Sequence, residues 1–465
     1  FSTPYFYTGT ALAGVPQFVE CAENAETFLN SCRQLQVCVM INTVTQDIVE
    51  AHLPGSATKL VQTHGELFQQ FANGTCNVIA GDTVNIYEQR LRDVGYNGEY
   101  VFAKKLLSHE HLALLTREDD PQWADFCNWV LHAIITAEAL NVTRHTAHTF
   151  HKTQVFGPKY ENMVINALET VGHYGELYER HFGGILPRSR YNSMNTGETG
   201  LVVSDPLGTL SIDEESLSFK ELPGPVPNGT MEEVISRGYL RCGMIFNGND
   251  DANPDNAAID DQHRPAFVSF NETTQVWSGL DVDLCRGMAA SVSGGKYIDT
   301  VFVDLSDQRT RYISLANKTV DVLAGGRVRL GGDVREPTTG QGFSFSTPYF
   351  YHEKNTALST VGASVSPRAL VTRQDDTQWS DLAKWVIQAV FYAEEKGISQ
   401  STASRMPVVE LFGIQYRQMF RDVVFAVGNF GEIYERNVEQ YIPRRGRNLL
   451  NSEDTPQFFP IAFQE

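Results

Sequence analysis

The chain alternates short apolar runs with amphipathic stretches. Residues 35–41 and 76–80 predict buried strands, and residues 65–72 between them predict a helix. The second half continues this alternation with a predicted helix at 231–238, strand at 239–246, helix at 283–291 and strand at 320–323. Strands that alternate with helices indicate an α/β fold.

One apolar stretch is longer than the others but does not predict a membrane span. It covers residues 129–140 and is broken by His132 and Glu138. A helix needs roughly 20 apolar residues to cross a bilayer, so we expect no transmembrane helix. The chain begins at Phe1 without Met or a signal-peptide pattern, which indicates a processed product or a fragment.

Three sequence blocks occur twice, which indicates an internal repeat. The block at residues 2–7 returns unchanged at 346–351, residues 116–123 match 372–379, and residues 171–180 match 427–436. We call residues 1–203 copy one and residues 229–465 copy two. The intervening residues 204–228 are rich in Pro, Gly, Ser and acidic side chains, as expected of a linker.

The spacing of the blocks shows that the copies differ by an insertion. The Trp of the second block lies 49 residues before the first Gly of the third block in both copies. The Pro of the first block lies 119 residues before that Trp in copy one but 31 in copy two. Copy two therefore lacks about 88 residues, which in copy one (roughly 17–103) have the alternation of a small α/β lobe.

The net charge of the chain argues against a nucleic-acid-binding function, and its length indicates more than one domain. Acidic side chains outnumber Lys and Arg by 56 to 37, which gives a formal net charge of −19. A surface of that sign repels polyanions, so we expect no nucleic-acid partner. The 465 residues are enough for two or three globular domains.

Five ordered motifs carry a resemblance to a known family. They are residues 234–243 (Val-Ile-Ser-Arg-Gly-Tyr-Leu-Arg-Cys-Gly), 277–285 (Trp-Ser-Gly-Leu-Asp-Val-Asp-Leu-Cys), 321–323 (Asp-Val-Leu), 345–349 (Phe-Ser-Thr-Pro-Tyr) and the Val-Gly-x-x-Gly-Glu-x-Tyr-Glu-Arg block of both copies. Together they resemble the bacterial periplasmic amino-acid-binding proteins of the family 3 solute-binding type, which serve ABC importers. The resemblance implies a periplasmic-binding-protein-like fold of three-layer α/β lobes that close on a ligand.

The resemblance also implies a division of the chain. In the family the chain builds half of lobe 1, crosses into lobe 2 at Phe-Ser-x-Pro-Tyr, and returns to finish lobe 1 with closing helices. Residues 1–14 are then the hinge crossing strand, 15–108 lobe 2 of copy one, 109–203 the C-terminal half of its lobe 1, 204–228 the linker, and 229–465 a lobe 1 of copy two that lacks lobe 2. A hairpin at 352–367 replaces the missing lobe. The chain would thus hold one lobe 2, one complete lobe 1 and an extra lobe 1 C-terminal half.

Seven cysteines raise the question of disulfides. The resemblance implies Cys242–Cys285 and Cys38–Cys76, and Cys21 with Cys32 is a possible third pair that leaves Cys127 over. The alternative is that all seven are reduced core residues. Zinc is disfavoured because no Cys-x-x-Cys is present. Bridges would place the protein in an oxidising compartment, secreted, at the cell surface or in the periplasm.

Asparagine triplets suggest glycosylation as a second extracellular feature. The triplet Asn-x-Thr occurs five times, at Asn73, Asn141, Asn228, Asn271 and Asn317. Glycans need exposed positions, which a predicted helix end and the linker supply for Asn73 and Asn228.

The family resemblance implies where a ligand would bind in lobe 1. An Arg of the family holds the amino-acid carboxylate with two hydrogen bonds, but Gly332 stands at that position here. The possible substitutes are Arg327, Arg329 and Arg335. The alternative is that they are solvated loop charges. A lost Arg costs roughly 2–5 kcal/mol of binding free energy.

On the lobe 2 side, the resemblance implies that residues 41–45 stand in the place of the family's anion-binding loop and supply Thr43 and Thr45. Asp82 keeps the position of the acid that accepts from the ligand's ammonium group. It could equally cap the strand end or a helix that begins at Thr83.

These observations lead to a non-enzymatic extracellular protein without cofactor or metal. The main hypothesis is a structural or assembly protein, such as a filament or cell-surface protein, whose half-lobes are completed by neighbouring molecules in a homo-oligomer or polymer. The alternative is a binding protein for an amino acid or another small polar solute. An enzyme is disfavoured because no catalytic constellation is visible, and His145, His148 and His151 are expected on an exposed helix face.

Overall fold

The protein is described here from a computed structural model. The structure describes residues 1–26, 29–108, 110–153, 156–188, 192–193, 229–245, 266–294, 298–305, 308–327, 341–352, 366–408, 416–445 and 448–449. The predicted linker and most of the predicted hairpin at 352–367 lie outside these residues. The chain forms two compact units: unit A comprises Pro4–Ala113 and Tyr178–Asn192, and unit B comprises Phe1–Thr3, Leu114–Leu177 and Ser193–Glu465.

Unit A is built on a five-stranded sheet in the order β4-β3-β5-β2-β6. Its strands and helices, including a separate β1–β7 pair, are β1 (Phe6–Thr8), β2 (Thr10–Gly14), α1 (Pro16–Glu23), β3 (Val37–Met40), α2 (Val44–His52), β4 (Thr58–Val61), α3 (His64–Ala72), β5 (Val78–Asp82), α4 (Glu88–Asp93), β6 (Val101–Phe102) and β7 (Glu110–Leu112). Strands β4, β3 and β5 run parallel, and β2 runs antiparallel to β5.

The apolar run of β3 explains why this sheet is covered on both faces. Successive side chains of a strand point to opposite faces. Val37 and Val39 lie in one buried cluster with Leu12, whereas Cys38 lies in a second cluster with Phe68. A strand buried on both sides reads as a continuous apolar run, and this produces the layered α/β arrangement predicted for the family.

Unit B contains a six-stranded sheet in the order β11-β8-β12-β15-β13, with β14 also on β15. Its elements are α5 (Pro121–Ala139), α6 (Met163–Val171), α7 (Tyr174–Phe182, divided between the units), α8 (Thr230–Arg237), β8 (Tyr239–Met244), β9 (Ser269–Asn271), β10 (Val276–Ser278), α9 (Leu280–Ser291), β11 (Asp299–Asp304), α10 (Gln308–Ala316), β12 (Val322–Arg327), β13 (Phe343–Phe345), β14 (Phe350–His352), β15 (Ser366–Arg373), α11 (Thr377–Glu395), α12 (Met419–Val427) and α13 (Phe430–Asn437). Strands β11, β8 and β12 are parallel and β15 is antiparallel to β12. No helix in the described part of the chain is long and apolar enough to cross a bilayer.

The sequence repeat is also a structural repeat. Helix α5 of copy one and α11 of copy two both begin after an Asp whose side chain accepts a hydrogen bond from the Trp three residues later. The distances are 3.0 Å from Trp123 N to Asp120 Oδ1 and 3.0 Å from Trp379 N to Asp376 Oδ1. An N-terminal cap of this kind satisfies a free backbone N–H, so the Asp-Asp-x-Gln-Trp block sets the start of both helices.

A second shared feature is an Asn that holds a β-strand backbone. In unit A, Asn192 accepts from the N–H of Tyr7 at 2.8 Å and donates to its carbonyl at 2.9 Å. In unit B, Asn448 makes the same two bonds to Tyr351, each at 2.8 Å. The repeated Ser-Thr-Pro-Tyr-Phe-Tyr block therefore ends at an equivalent anchor in both copies.

Three disulfides connect elements within the units. The structure joins Cys21 to Cys32 and Cys38 to Cys76 in unit A, and Cys242 to Cys285 in unit B. These are the three pairs named from the sequence, and Cys127 is a free thiol.

Candidate functional site

The candidate ligand site of unit A lies where parallel strands of the sheet end. Strands β3 and β5 are neighbours, so their carboxyl ends lie at the same edge. Strand β5 ends at Asp82, and β3 is followed at Thr43 by helix α2. Neighbouring strands are about 4.8 Å apart, so the structure brings the predicted Asp82 and Thr43 to one edge. Ligands of open α/β sheets bind at such edges.

The Asp82 side chain is half-buried and partly engaged. Its Oδ1 accepts a hydrogen bond from Thr8 Oγ1 and another from the N–H of Val84 at 3.1 Å. Asp82 therefore caps the turn that follows β5, and the helix that could have begun at Thr83 begins at Glu88 instead. A carboxylate can accept about four hydrogen bonds, so this role leaves capacity for a ligand's ammonium group.

Thr43 is the N-cap of α2. Its hydroxyl accepts from the N–H of Gln46 at 3.2 Å and donates to the carbonyl of Met40 at 2.8 Å. Because the first N–H groups of a helix have no intrahelical partner, the N–H groups of Val44 and Thr45 remain for an external acceptor. The partial positive charge of the helix N-terminus favours an anion there.

Of the three predicted lobe 1 arginines, Arg327 alone lies among the residues that the structure describes. Arg327 is the last residue of β12, where its backbone pairs with that of Arg368 in β15. Arg335 and Arg329 lie outside the described residues. Whether these arginines replace the family's carboxylate-binding Arg or are solvated loop charges stays a prediction.

Unit B contains a buried polar cluster that the sequence patterns did not predict. The Asp281 carboxylate is fully buried, pairs with the Arg368 guanidinium, and accepts from Tyr349 Oη at 2.6 Å. Tyr349 Oη in turn accepts from the N–H of Gly325 at 2.8 Å. Gly325 has φ +76°, and a Cβ there would lie 2.2 Å from Arg368 Nη2, so this approach requires glycine.

Electrostatics fix the charge states of this cluster. Burial alone would lower the pKa of Arg368, but the adjacent Asp281 carboxylate raises it above its ordinary value. Burial, with the Asp281 charge as the next cause, raises the pKa of Tyr349 well above its ordinary value. Arg368 is therefore a cation and Tyr349 a neutral donor, and together they satisfy Asp281 internally. Two of these three residues lie in motifs that the sequence already showed, Asp281 in Gly-Leu-Asp and Tyr349 in Pro-Tyr.

A second buried polar residue, His132, lies on α5. Its Nε2 is 2.7 Å from Thr3 Oγ1, its ring meets Trp129 edge-on at 5.0 Å, and its Nδ1 is buried without a partner among the described residues. Burial lowers the pKa of His132 to about 3, so the ring is neutral at physiological pH. Gln388 occupies the same position in copy two and donates to Thr347 Oγ1 at 2.7 Å.

The other predicted positions are at the surface. His145, His148 and His151 are exposed, and no group of three possible metal ligands comes together in the described part of the chain. The glycosylation candidates Asn73, Asn141, Asn271 and Asn317 are exposed, and Asn228 lies outside the described residues.

Comparisons with known proteins agree with the motifs. No protein-family model matches the chain. The chain is 24% identical over 218 residues to the "Putative amino-acid ABC transporter-binding protein YhdW" of Escherichia coli, covering 41% of this chain and 64% of that protein. It is 25% identical over 139 residues to the "General L-amino acid-binding periplasmic protein AapJ" of Rhizobium johnstonii, covering 26% of this chain and 40% of that protein. Among solved structures, a periplasmic binding protein from Brucella ovis with glutathione bound is 19% identical, with TM-score 0.38, over 50% of this chain and 99% of that chain.

The curated relatives confirm the resemblance stated from the motifs. The chain is similar to an amino-acid ABC transporter-binding protein and to a general L-amino acid-binding periplasmic protein, and its mixed α/β sheets are of the periplasmic-binding-protein-like class. The chain spans about two thirds or less of the length of these relatives.

Proposed function

We propose that the protein binds a small zwitterionic solute of the amino-acid class outside the cytoplasm and performs no chemistry on it. The names of both curated relatives describe binding of amino acids, and one describes a periplasmic protein. Three disulfides fit an oxidising compartment. The structural or filament role, which was the main hypothesis from the sequence, has no support in these relatives, so we prefer the alternative of a solute-binding protein.

One observation in the molecule carries the proposal. Asp82 and the N-terminus of α2 stand at the same edge of the unit A sheet and offer opposite charges to a ligand. The carboxylate accepts from the ammonium group, and the N–H groups of Val44 and Thr45 donate to the ligand's carboxylate. A helix N-terminus holds a carboxylate less firmly than a bidentate Arg does, so we expect weak affinity.

The proposal predicts that Asp82→Asn lowers the affinity for the bound amino acid by about ten- to a hundredfold, since a hydrogen bond to a charged group contributes roughly 1.5–3 kcal/mol. Titration calorimetry against the standard amino acids measures it. Asp93→Asn is the matched control, because Asp93 is an exposed carboxylate of the same unit on α4. Equal affinity in the Asp82 variant would show that Asp82 is not part of the binding site. The absence of binding heat for every amino acid at 10 mM would contradict the proposed function.

A further inference from the structure

The segment that leads into helix α11 of copy two contacts the start of helix α5 of copy one, and both lie in unit B. The Gln374 side chain of this segment is 2% exposed. Its Nε2 donates to Asp125 Oδ2 and, at 3.4 Å, to the carbonyl of Pro121. The Gln374 backbone is held within copy two, because its N–H donates to the carbonyl of Gly342 at 2.9 Å. Gln374 is therefore a buried residue of copy two whose side chain is bonded to copy one.

The sequence repeat gives this contact a counterpart in which the copies exchange roles. In copy one, Glu118 stands at the position of Gln374. In copy two, Asp381 stands at the position of Asp125. Desolvation raises the pKa of Asp381, Lys384 lowers it, and the charge of Glu118 raises it again, so Glu118 of copy one acts on copy two. Reciprocal contacts of this kind, between the same two positions on both sides, are produced by a two-fold axis.

The two contacts differ in their chemistry. Gln374 offers amide N–H groups to the carboxylate of Asp125, whereas Glu118 offers a second carboxylate to Asp381. Glu118 and Asp381 are both exposed, so water and salt screen their repulsion and keep it weak. One side of the contact between the copies is therefore buried and attractive, and the other side is solvated and mildly repulsive.

We propose that the two copies pack on each other within the chain as an internal pseudo-dimer, with a local two-fold axis between the starts of α5 and α11. The partner that this surface of copy one fits is then the equivalent surface of copy two. A two-fold interface uses the same patch on both partners, so one substitution, Glu118→Gln, would make its two sides alike. This packing goes beyond the proposed solute binding and does not depend on it.

Cysteine cross-linking of the full chain tests the two-fold relation. One variant carries Asp125→Cys with Gln374→Cys, and a second carries Glu118→Cys with Asp381→Cys. Both also carry Cys127→Ser, which removes the free thiol. We expect a short bis-methanethiosulfonate reagent to join each pair within a single chain, as read by mass spectrometry of tryptic peptides from the monomer band of a denaturing gel.

Asn141→Cys with Gln374→Cys, in the same Cys127→Ser background, is the control pair. Asn141 follows the end of α5 and lies more than about 20 Å from Asp125, because a helix rises about 1.5 Å per residue. Cross-links in both test pairs but not in the control support the proposal. A cross-link in only one test pair, in neither, or equally in the control would overturn it. If the loss of Gln374 prevents folding, the pair at Glu118 and Asp381 decides alone, since both positions are exposed.

Thermal unfolding of the full chain gives a second readout of the same proposal. Glu118→Gln should raise the unfolding midpoint by about 1–3 °C, because the new amide can donate to Asp381 as Gln374 donates in the first contact. Glu169→Gln is the matched control for the loss of one negative charge, at an exposed carboxylate of copy one on α6. No rise in the Glu118 variant, or an equal rise in the control, would overturn the proposal.

Discussion

Replacing Trp379 by Ala is expected to lower the free energy of unfolding by about 3–5 kcal/mol, whereas Trp123→Ala is expected to cost less than about 1 kcal/mol. The two residues hold the same position in the two copies. Trp379 is fully buried and its indole N–H is bonded to Asp321, so alanine would leave both a cavity and an unpaired carbonyl. Trp123 is more than half exposed and loses mainly its stacking on Phe126.

Urea unfolding followed by far-UV circular dichroism measures both variants under one condition, and each Trp serves as the control for the other. Similar losses for the two variants would contradict the structure, because they would mean that the Trp123 ring is covered as Trp379 is. A small loss at Trp379 would show that the copy two half-lobe does not pack on α11.

Acidification is expected to destabilise the protein through His132. Its pKa is about 3 in the folded protein, whereas an unfolded chain gives about 6.5. Below pH 6.5 the unfolded state therefore binds a proton that the folded state does not, so stability falls as the pH falls toward 3. Between pH 7.5 and pH 4 the loss is roughly 3 kcal/mol.

His132→Gln should remove this part of the pH dependence while retaining the fold, because Gln388 makes the corresponding bond to Thr347 in copy two. The free energy of unfolding of both proteins at pH 7.5 and pH 4 is the measurement. His148→Gln is the control, since His148 is exposed and its loss should leave the pH dependence as it is. If the wild-type protein and the His132 variant lose the same stability on acidification, the buried neutral histidine is not the cause.

The sequence motifs predicted much of the fold because they combine local signals with residues that contact each other. The predicted strand at 35–41 is observed as Val37–Met40, and the predicted helix at 65–72 as His64–Ala72. The family motifs also meet in space: Arg436 of the Tyr-Glu-Arg block pairs with Asp283 of the Gly-Leu-Asp-Val-Asp block at 2.7 Å. A motif whose residues contact another motif predicts tertiary structure as well as local structure.

The candidate site could be predicted only in part. Asp82 and Thr43 were named because the family resemblance places ligand-binding positions there, but their roles as caps depend on local hydrogen bonds that a sequence motif does not show. Arg368 was missed because its partner Asp281 is 87 positions away and no motif contains both. Long-range pairing of single polar residues has no periodicity, so it becomes visible only when the chain is folded.

Copy one leaves Leu115 exposed at the position where copy two buries Val371 beside β12, and amide hydrogen exchange of the full chain tests this difference most directly. We expect the Leu115 amide to exchange at nearly the rate of an unstructured peptide. The Val371 amide, which is paired with β12, should exchange at least about a thousandfold more slowly, which corresponds to about 4 kcal/mol of protection. Equal protection at Leu115 and Val371 would contradict the structure, because the Leu115 amide would then already be hydrogen-bonded and covered.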